Sequence, residues 1–403
     1  MTLPLDFARI EYMLSYTPVY MGLPNFSSCY KIECATDAVQ EEAQLIMEGR
    51  EDTASMERVG VYVDPIFIAH RTGPFHPESP QRLEVLYSML EEDEVSRLCK
   101  RLQSRKAERE EITLIHSSSH FDRVAETAGI PQSYLDADTQ TSEDSFNAAL
   151  HAAGAVLDGI DLIMSGSMRN IFALVRPPGH HAEGNRAMGF CLFNNIAIGA
   201  LYAIEKYTLE RVLIIDWDLH HGNGTQHSFY GDQRVLYFST HQFPFYPGTG
   251  DFGETGSGTG RGFSVNVPLG MGYGDADFSR IFVEVLEPIA DLYKPQLVLV
   301  SAGFDTHFDD PLGGMKMTLD GYATLTGIIQ HITRKHTEAK LLLTLEGGYS
   351  LSGLRDSVRA VIEQLAGTRQ AEDETAEITG HDRSTDRIIE TVAQVQREFW
   401  SCF

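Results

Sequence analysis

The sequence has few cysteines and no long apolar run. Its five cysteines, Cys29, Cys34, Cys99, Cys191 and Cys402, are scattered through 403 residues without CxxC spacing. This pattern excludes a disulfide framework and favours a reducing, cytoplasmic location. No run of about 18 apolar residues occurs, and the amino terminus, MTLPLDFARIEYMLSY, lacks a basic start followed by an apolar core. We therefore predict neither a membrane span nor a signal peptide.

The sequence also has fewer basic than acidic residues. Lysine and arginine number 32 against 57 aspartates and glutamates, which gives a formal net charge of -25. A field of this sign repels nucleic acid and attracts cationic partners, so we expect no direct binding to nucleic acid. Hydrophobic residues make up 42% of the chain, which is typical of a folded globular protein.

The pattern divides the chain into three segments. Residues 1–55 have mixed polarity and no clean period, so we predict an N-terminal extension of uncertain structure. Residues 56–367 alternate short apolar runs with longer helical periods, which predicts a single α/β domain whose parallel sheet is flanked by helices on both faces. Residues 368–403 combine a polar linker with a candidate amphipathic helix over Arg387–Trp400.

Short aliphatic runs mark the predicted strands: Val59–Val63, Ile171–Val175, Val212–Ile215, Val235–Phe238, Leu297–Val300 and Leu341–Leu345. Helical periods mark the predicted helices: Ser142–Met164, Asn194–Tyr207, Asp275–Tyr293, Leu319–Lys335 and Ser350–Leu365. Almost every unusual motif follows one of these strands. Because the carboxyl ends of parallel strands meet at one edge of a sheet, we expect the active site there.

The motif DWDLHHGNG places Asp216, Asp218 and His220 at a predicted strand end. If the strand continued, alternation would put these three side chains on one face. Such a mixed oxygen and nitrogen set suits zinc, iron(II), manganese or cobalt rather than calcium. The pattern therefore predicts a transition-metal site.

A further candidate ligand, Asp305, follows another strand in the motif SAGFDTH. Asp309 and Asp310 compete with it, but they lie further into the loop beside Pro311, where aspartates more often shape turns. We therefore favour Asp305.

Two other strand ends carry candidate acid, base and oxyanion-binding groups. RPPGHH presents adjacent His180 and His181, which suit a general acid/base pair beside a metal-bound water. LEGGY places the Tyr349 phenol after two glycines, where it can donate a hydrogen bond to a developing oxyanion.

In this order, RPPGHHAEGNRAMGFCLFNN, DWDLHHGNGTQ, YPGTGD, SAGFDTHFDDPLGG and LEGGY resemble the histone deacetylase family. The resemblance is greatest to its class II and bacterial deacetylase-like amidohydrolase branches, and it runs from about His70 to Gly367. It implies the arginase/deacetylase fold for the main domain. It also implies a metal-dependent amidohydrolase, with zinc as the cofactor, that removes acyl groups from acyl-lysine in a peptide or protein, or from a small acylated amine.

Carried over position by position, the resemblance implies zinc ligation by Asp218, His220 and Asp305, with iron(II) as an alternative ion in cells. Asp216 is then not a ligand but the hydrogen-bond partner of His180.

The resemblance further implies that His181 faces Asn223 and acts as general base, and then as acid, on a metal-activated water. Pairing with a neutral amide keeps His181 less readily protonated than an aspartate would. Tyr349 would polarise the acyl carbonyl. Some family members have histidine there and are weak catalysts, so the tyrosine favours activity.

Further positions match those that line the family's substrate channel or bind its ions. The substrate-binding set is Gly189, Phe190, Tyr246, Leu312, Asp138 and Gly347; Tyr246 departs from the family's usual phenylalanine. Arg82 matches an arginine of the acetate-release cavity. Structural potassium sites are implied near Asp216, Ser239 and Phe229.

Three alternatives stay open. An acetylpolyamine amidohydrolase shares the metal, dyad and tyrosine, although Leu312 stands where one polyamine-selective branch has glutamate. An arginase-like ureohydrolase shares the fold but needs more carboxylates for two metal ions, and a catalytically weak acyl-lysine binding protein would retain the site without turnover. The sequence leaves the natural amine, the acyl group and the oligomeric state open.

Overall fold

A computed structural model of the chain describes residues 58–369 and 383–403. The predicted N-terminal extension, residues 1–55, and most of the predicted polar linker lie outside the described residues.

The centre of the described fold is an eight-stranded sheet in the order β2-β1-β5-β10-β9-β6-β7-β8. All of its neighbouring strands run parallel. Its strands are β1 (Val59–Tyr62), β2 (Cys99–Leu102), β5 (Asn170–Ala173), β6 (Val212–Asp216), β7 (Val235–Gln242), β8 (Ser264–Leu269), β9 (Leu297–Ala302) and β10 (Leu341–Leu345). A short antiparallel pair, β3 (Ser133–Tyr134) and β4 (Gln140–Thr141), lies apart from it.

Helices flank this sheet. They are α1 (Pro65–Ala69), α2 (Gln81–Leu90), α3 (Asp93–Ser96), α4 (Arg109–Ile112), α5 (Ser118–Ala125), α6 (Ser145–Met164), α7 (Asn195–Tyr207), α8 (Asn223–Phe229), α9 (Asp275–Ile281), α10 (Glu287–Tyr293), α11 (Leu319–His336), α12 (Leu351–Leu365) and α13 (Arg383–Gln396). The predicted fold class is therefore confirmed.

The central strands were predictable because they are buried on both faces and read as unbroken aliphatic runs. Every residue of β9 and β10 is buried. The two edge strands were missed. β2 has the sequence CKRL with exposed Lys100 and Arg101, and β8 contains Pro268, so neither has the apolar run of a central strand.

The predicted helix Asp275–Tyr293 is not one continuous α-helix. A π-helical turn over Phe282–Leu286 separates α9 from α10. Pro288 lies in the first turn of α10 and has no backbone N–H to donate, so the regular α-helical hydrogen-bond ladder is interrupted there.

Helix α6 is the one described helix whose length and mean hydropathy of 1.2 would suffice to cross a membrane. However, 61% of its apolar window is buried inside the protein. Its alanine-rich face packs against α7 and the sheet, as expected of a core helix.

The C-terminal helix α13 begins at Arg383, before the predicted Arg387, and ends at Gln396. It packs on the β8 edge of the sheet, where the Gln396 amide donates to the carbonyl of Ser264. The Trp400 indole donates to the carbonyl of Gly262 at 2.9 Å. This segment therefore adds to the core of the main domain.

Candidate metal centre and active site

Asp218, His220 and Asp305 converge at the carboxyl ends of β6 and β9. One ligand atom from each lies within 4.8 Å of the other two. Nδ1 of His220 is 3.2 Å from Oδ1 of Asp218 and 3.1 Å from Oδ2 of Asp305. Ligand atoms about 2.0 Å from a tetrahedral zinc ion lie about 3.3 Å apart, so this spacing fits such an ion.

Backbone groups hold both carboxylates in place. The N–H of Leu219 donates to Oδ1 of Asp305, and the other carboxylate oxygen of Asp305, Oδ2, faces His220. The N–H of Gly347 donates to Oδ2 of Asp218. A Cβ on Gly347 would lie 2.3 Å from Asp305 Oδ2 and 2.7 Å from Asp218 Oδ2, so only glycine fits beside the two ligands.

The charge of this cluster also fits a divalent cation. Asp218 and Asp305 are buried, and burial together with the Asp218 charge raises the pKa of Asp305. Two carboxylates in so small a buried space need a strong positive charge to stay ionised. The donor set suits zinc or iron(II), as the sequence predicts.

Asp216 does not share a face with the metal cluster. Strand β6 ends at this residue, so the alternation assumed for Asp216, Asp218 and His220 does not continue. Oδ2 of Asp216 instead accepts hydrogen bonds from His180 Nδ1 and from the Tyr237 hydroxyl, each at 3.0 Å. The simple three-on-a-face interpretation is therefore wrong, and the geometry matches the pairing implied by the family resemblance.

The imidazoles of His180 and His181 lie side by side, with ring centroids 4.0 Å apart. Burial alone would lower the pKa of His180, but the carboxylates of Asp216 and Asp218 raise it to about 10. Burial and the charges of His180 and His220 hold the pKa of His181 well below its usual value. Nδ1 of His181 lies 2.8 Å from Oδ1 of Asn223. Their surroundings therefore shift the pKa values of the two histidines in opposite directions, upward for His180 and downward for His181.

Tyr349 reaches the same space from the turn after β10. Among the described residues its hydroxyl has no hydrogen-bond partner. Its backbone N–H donates to Oδ2 of Asp310 at 2.6 Å, and the Arg82 guanidinium lies 5.0 Å from its ring. Asp310 also accepts from the N–H of Leu312, so it shapes a turn as its position suggests and fixes the tyrosine as well.

Arg82 is fully buried behind Tyr349. Its three donor groups contact the carbonyl of Gly348, the carboxylate of Glu78 and the carbonyl of Glu346. Within the described part of the chain, Arg82 thus supports the turn that carries the tyrosine.

A cavity of about 150 Å³ leads to these groups. Its lining includes every predicted substrate-binding residue together with the dyad, one metal-cluster residue and the tyrosine: Asp138, Pro178, His180, His181, Gly189, Phe190, His220, Tyr246, Leu312, Gly347 and Tyr349. Gly189 has a φ of 56°, and a Cβ there would lie 2.3 Å from the His181 ring. A glycine is therefore needed where the wall approaches the dyad.

Asp138 lies at this cavity with one carboxylate oxygen already engaged. Oδ1 accepts from the N–H of Gly189 at 3.1 Å and from the Thr139 hydroxyl at 2.8 Å. The residue thus fixes the channel wall in addition to facing the cavity.

The residues proposed for potassium binding occupy two places. Asp216 and Ser239 are paired across β6 and β7, and the Ser239 hydroxyl contacts His241 Nδ1 at 2.9 Å. Phe229 ends helix α8, and its carbonyl accepts from the N–H of Asp232.

Sequence reasoning missed Glu346, which is fully buried inside the LEGGY motif. Its Oε2 accepts from the N–H groups of Gly179 and His180, and its Oε1 accepts from the Ser301 hydroxyl. Burial raises the pKa of Glu346 to about 7. An acidic residue directly after a fully buried strand was the available signal.

Similarity to known proteins identifies the family and the fold. A family model described as the histone deacetylase domain matches residues 76–365. The chain belongs to the histone deacetylase family. The family predicted from the motifs is therefore confirmed, and so is its general chemistry, the hydrolysis of amides.

Several relatives of this family are similar over most of the chain. A probable deacetylase of Archaeoglobus fulgidus is 36% identical over 85% of this chain and 99% of its own length. Histone deacetylase 15 of Arabidopsis thaliana is 41% identical over 81% of this chain, and the polyamine deacetylase HDAC10 of Danio rerio is 39% identical over 81%. The chain spans only 59% and 49% of those two longer proteins.

A solved structure gives the same result for the fold. The crystal structure of the HDA15 HD domain superposes with a TM-score of 0.79 at 38% identity. The match covers 86% of this chain and 96% of that chain.

Proposed function

We propose that this protein is a zinc-dependent deacylase that hydrolyses the side-chain amide of acetyl-lysine or a related acyl-lysine. The observation that carries the proposal is the single cavity in which His220 of the metal cluster, the His180–His181 pair and Tyr349 meet. These groups are a metal ligand, a histidine pair that includes a general base and acid, and an oxyanion donor, which together are what amide hydrolysis needs.

A zinc ion held by Asp218, His220 and Asp305 would supply Lewis-acid polarisation and an activated water. Nε2 of His181 would accept a proton from that water, because its low pKa keeps the imidazole neutral and its Nδ1 faces Oδ1 of Asn223. The same imidazole then donates the proton to the departing amine.

Tyr349 would stabilise the charge that develops on the acyl oxygen, and His180 lies beside the reaction centre. The carboxylates of Asp216 and Asp218 raise the pKa of His180, and its Nδ1 lies 3.0 Å from Oδ2 of Asp216. Burial raises the pKa of the Tyr349 phenol well above its usual value, so this group stays protonated and donates a hydrogen bond.

The walls of the cavity favour a long apolar stem. The rings of Phe190 and Tyr246 face it, and Leu312 provides an uncharged side chain at the cavity. Such walls suit the four methylenes of an acyl-lysine. A polyamine substrate carries an additional ammonium group, and the uncharged Leu312 side chain cannot form an ion pair with it. We therefore place acyl-lysine ahead of acylpolyamine, although one relative is named a polyamine deacetylase.

A substrate panel with metal control tests this proposal. Purified protein is assayed on acetyl-lysine and longer acyl-lysine peptides, N-acetylspermidine and arginine. We expect turnover of acyl-lysine, at least about a hundredfold loss after chelation, and recovery with added zinc or iron(II). Full activity of metal-free protein would contradict metal dependence. Preferential turnover of acetylspermidine would identify an acylpolyamine, and not acyl-lysine, as the substrate. Hydrolysis of arginine by protein with two bound metal ions would identify a ureohydrolase instead of a deacylase.

A further inference from the structure

A chain of hydrogen bonds leads outward from His181 to the surface. Its Nδ1 is 2.8 Å from Oδ1 of Asn223, and Nδ2 of Asn223 is 2.5 Å from Oε1 of Glu183. The Glu183 carboxylate in turn lies 2.9 Å from Nδ1 of His227, whose side chain is 48% exposed. The proposed function involves only the contact between His181 and Asn223, and it gives no role to Glu183 or His227.

We propose that Glu183 is a positioning residue that fixes the orientation of the Asn223 amide and, through it, the tautomer of His181. The inference rests on the proposed function, in which His181 is the general base.

The argument follows from what each group can donate or accept. An asparagine amide has an acceptor end and a donor end, whereas an ionised carboxylate only accepts. Oε1 of Glu183 therefore requires the NH₂ end of Asn223, since the reversed amide would bring two oxygens together. The carbonyl end must then face His181, which can satisfy it only by donating from Nδ1. The proton is thus held on Nδ1, and Nε2 keeps the lone pair that a general base needs.

Glu183 is the stronger of the two oxygen contacts that hold the donor end. The other, the backbone carbonyl of His181, is 3.3 Å from Nδ2 and is uncharged. Bonds to a charged partner are shorter and stronger than neutral ones. Without the carboxylate, the reversed amide gains population. It would donate to Nδ1 of His181 and move the ring proton to Nε2, where the ring cannot act as a base.

The carboxylate itself is held from two sides. Helix α8 begins at Asn223, and its last turn carries His227, so these residues share one helix face. Glu183 bridges them, and this hydrogen bond raises the pKa of His227. The Glu183 backbone carbonyl also accepts from His116 Nδ1 at 2.9 Å. Glu183 is therefore anchored at its carboxylate by His227 and at its backbone by His116.

Three variants of the zinc-loaded enzyme test this role. Glu183→Leu removes the acceptor, and we expect kcat to fall about tenfold with KM within about twofold, the size expected for one hydrogen bond to a charged group. Glu183→Gln keeps one acceptor but can also present a donor, so it fixes the Asn223 amide less strictly and should lose less kcat than the leucine variant. Glu205→Leu makes the same chemical change at a surface carboxylate paired with Arg234, and should have no effect.

Nitrogen-15 shifts of the His181 ring give a readout that is independent of turnover. We expect the Nδ1–H tautomer in the wild type, mainly this tautomer in Glu183→Gln, and a larger share of Nε2–H in Glu183→Leu. If Glu183→Leu does not fold, Glu183→Asp, whose carboxylate is one methylene shorter, should give an intermediate loss.

Wild-type kcat and tautomer in the folded leucine variant would overturn the inference, and so would equal losses in the leucine and glutamine variants. Failure of the proposed function has a different signature: the wild type would not hydrolyse acyl-lysine, or His181→Ala would be as active as the wild type.

Discussion

Two carboxylates at the end of β6, two positions apart, have different surroundings. Asp216 contacts His180 and Tyr237, whereas Asp218 faces His220 and Asp305. Each is buried, so each must be neutralised by what surrounds it. The role of a carboxylate here is set by its partners and not by its residue type.

The proposed role of the Tyr349 hydroxyl can be tested by a single substitution. Replacement by phenylalanine keeps the ring and its support by Arg82 and Asp310 while removing the hydroxyl. We expect kcat to fall about a hundredfold, as for loss of an oxyanion donor, with KM little changed. Steady-state kinetics on an acetyl-lysine peptide measures both. Unchanged kcat would show that the phenol takes no part in the reaction.

Leu312 gives a prediction about substrate choice. In Leu312→Glu, we expect kcat/KM for N-acetylspermidine to rise about tenfold and that for acetyl-lysine peptide to fall, because a carboxylate at the cavity attracts the additional ammonium. Leu312→Gln is the control, since it has nearly the same shape and no charge. Equal changes in the two variants would show that shape, and not charge, sets the preference.

At the scale of elements, the site is assembled by the turns that follow parallel strands. Strands β5, β6, β9 and β10 end beside one another, and the segments after them carry the dyad, the metal cluster and the tyrosine. Glu346 joins two of these turns, because it accepts from Gly179 and His180 while lying at the end of β10.

Loss of the Glu346 carboxylate should therefore disturb the dyad and the fold together. In Glu346→Leu the N–H groups of Gly179 and His180 and the Ser301 hydroxyl lose their acceptor, so we expect the free energy of unfolding to fall by about 3 kcal/mol and kcat to fall with it. Glu346→Gln retains an acceptor and should lose much less. Urea denaturation and deacetylation kinetics measure the two effects. Indistinguishable leucine and glutamine variants would contradict this account.

At the scale of the whole molecule, the C-terminal segment extends the core of the main domain. The ring centroids of Trp400 and Phe263 are 5.5 Å apart, those of Trp400 and Tyr293 are 6.4 Å apart, and Val392 is buried. The packing lies on the β8 edge, whereas the reaction groups follow β5, β6, β9 and β10. Stability and activity should therefore separate here.

Trp400→Ala tests this separation. We expect the free energy of unfolding to fall by about 3 kcal/mol, because a large buried ring is lost, while kcat stays within about twofold. Leu292→Ala, at a leucine that is 46% exposed, is the control and should change stability by less than about 0.5 kcal/mol. Equal stabilities of the two variants in urea would show that the segment after α13 adds little to the core.

The sequence by itself determined the family, the fold class and the central strands. This was possible because buried parallel strands read as unbroken aliphatic runs, and because reactive residue types cluster directly after them. The edge strands β2 and β8 and the π-helical turn were not predicted, since their residues are partly polar or contain proline.

Only the tertiary structure decided which of those reactive residues meet. It separated Asp216 from the metal cluster, placed Glu346 under the dyad and joined Asn223 to Glu183. These contacts join residues 36 to 166 positions apart, and hydrogen bonds of that span depend on how strand ends and turns pack rather than on any local pattern. Local pattern therefore located the candidate metal ligands and the histidine pair, whereas packing selected the carboxylates that contact them.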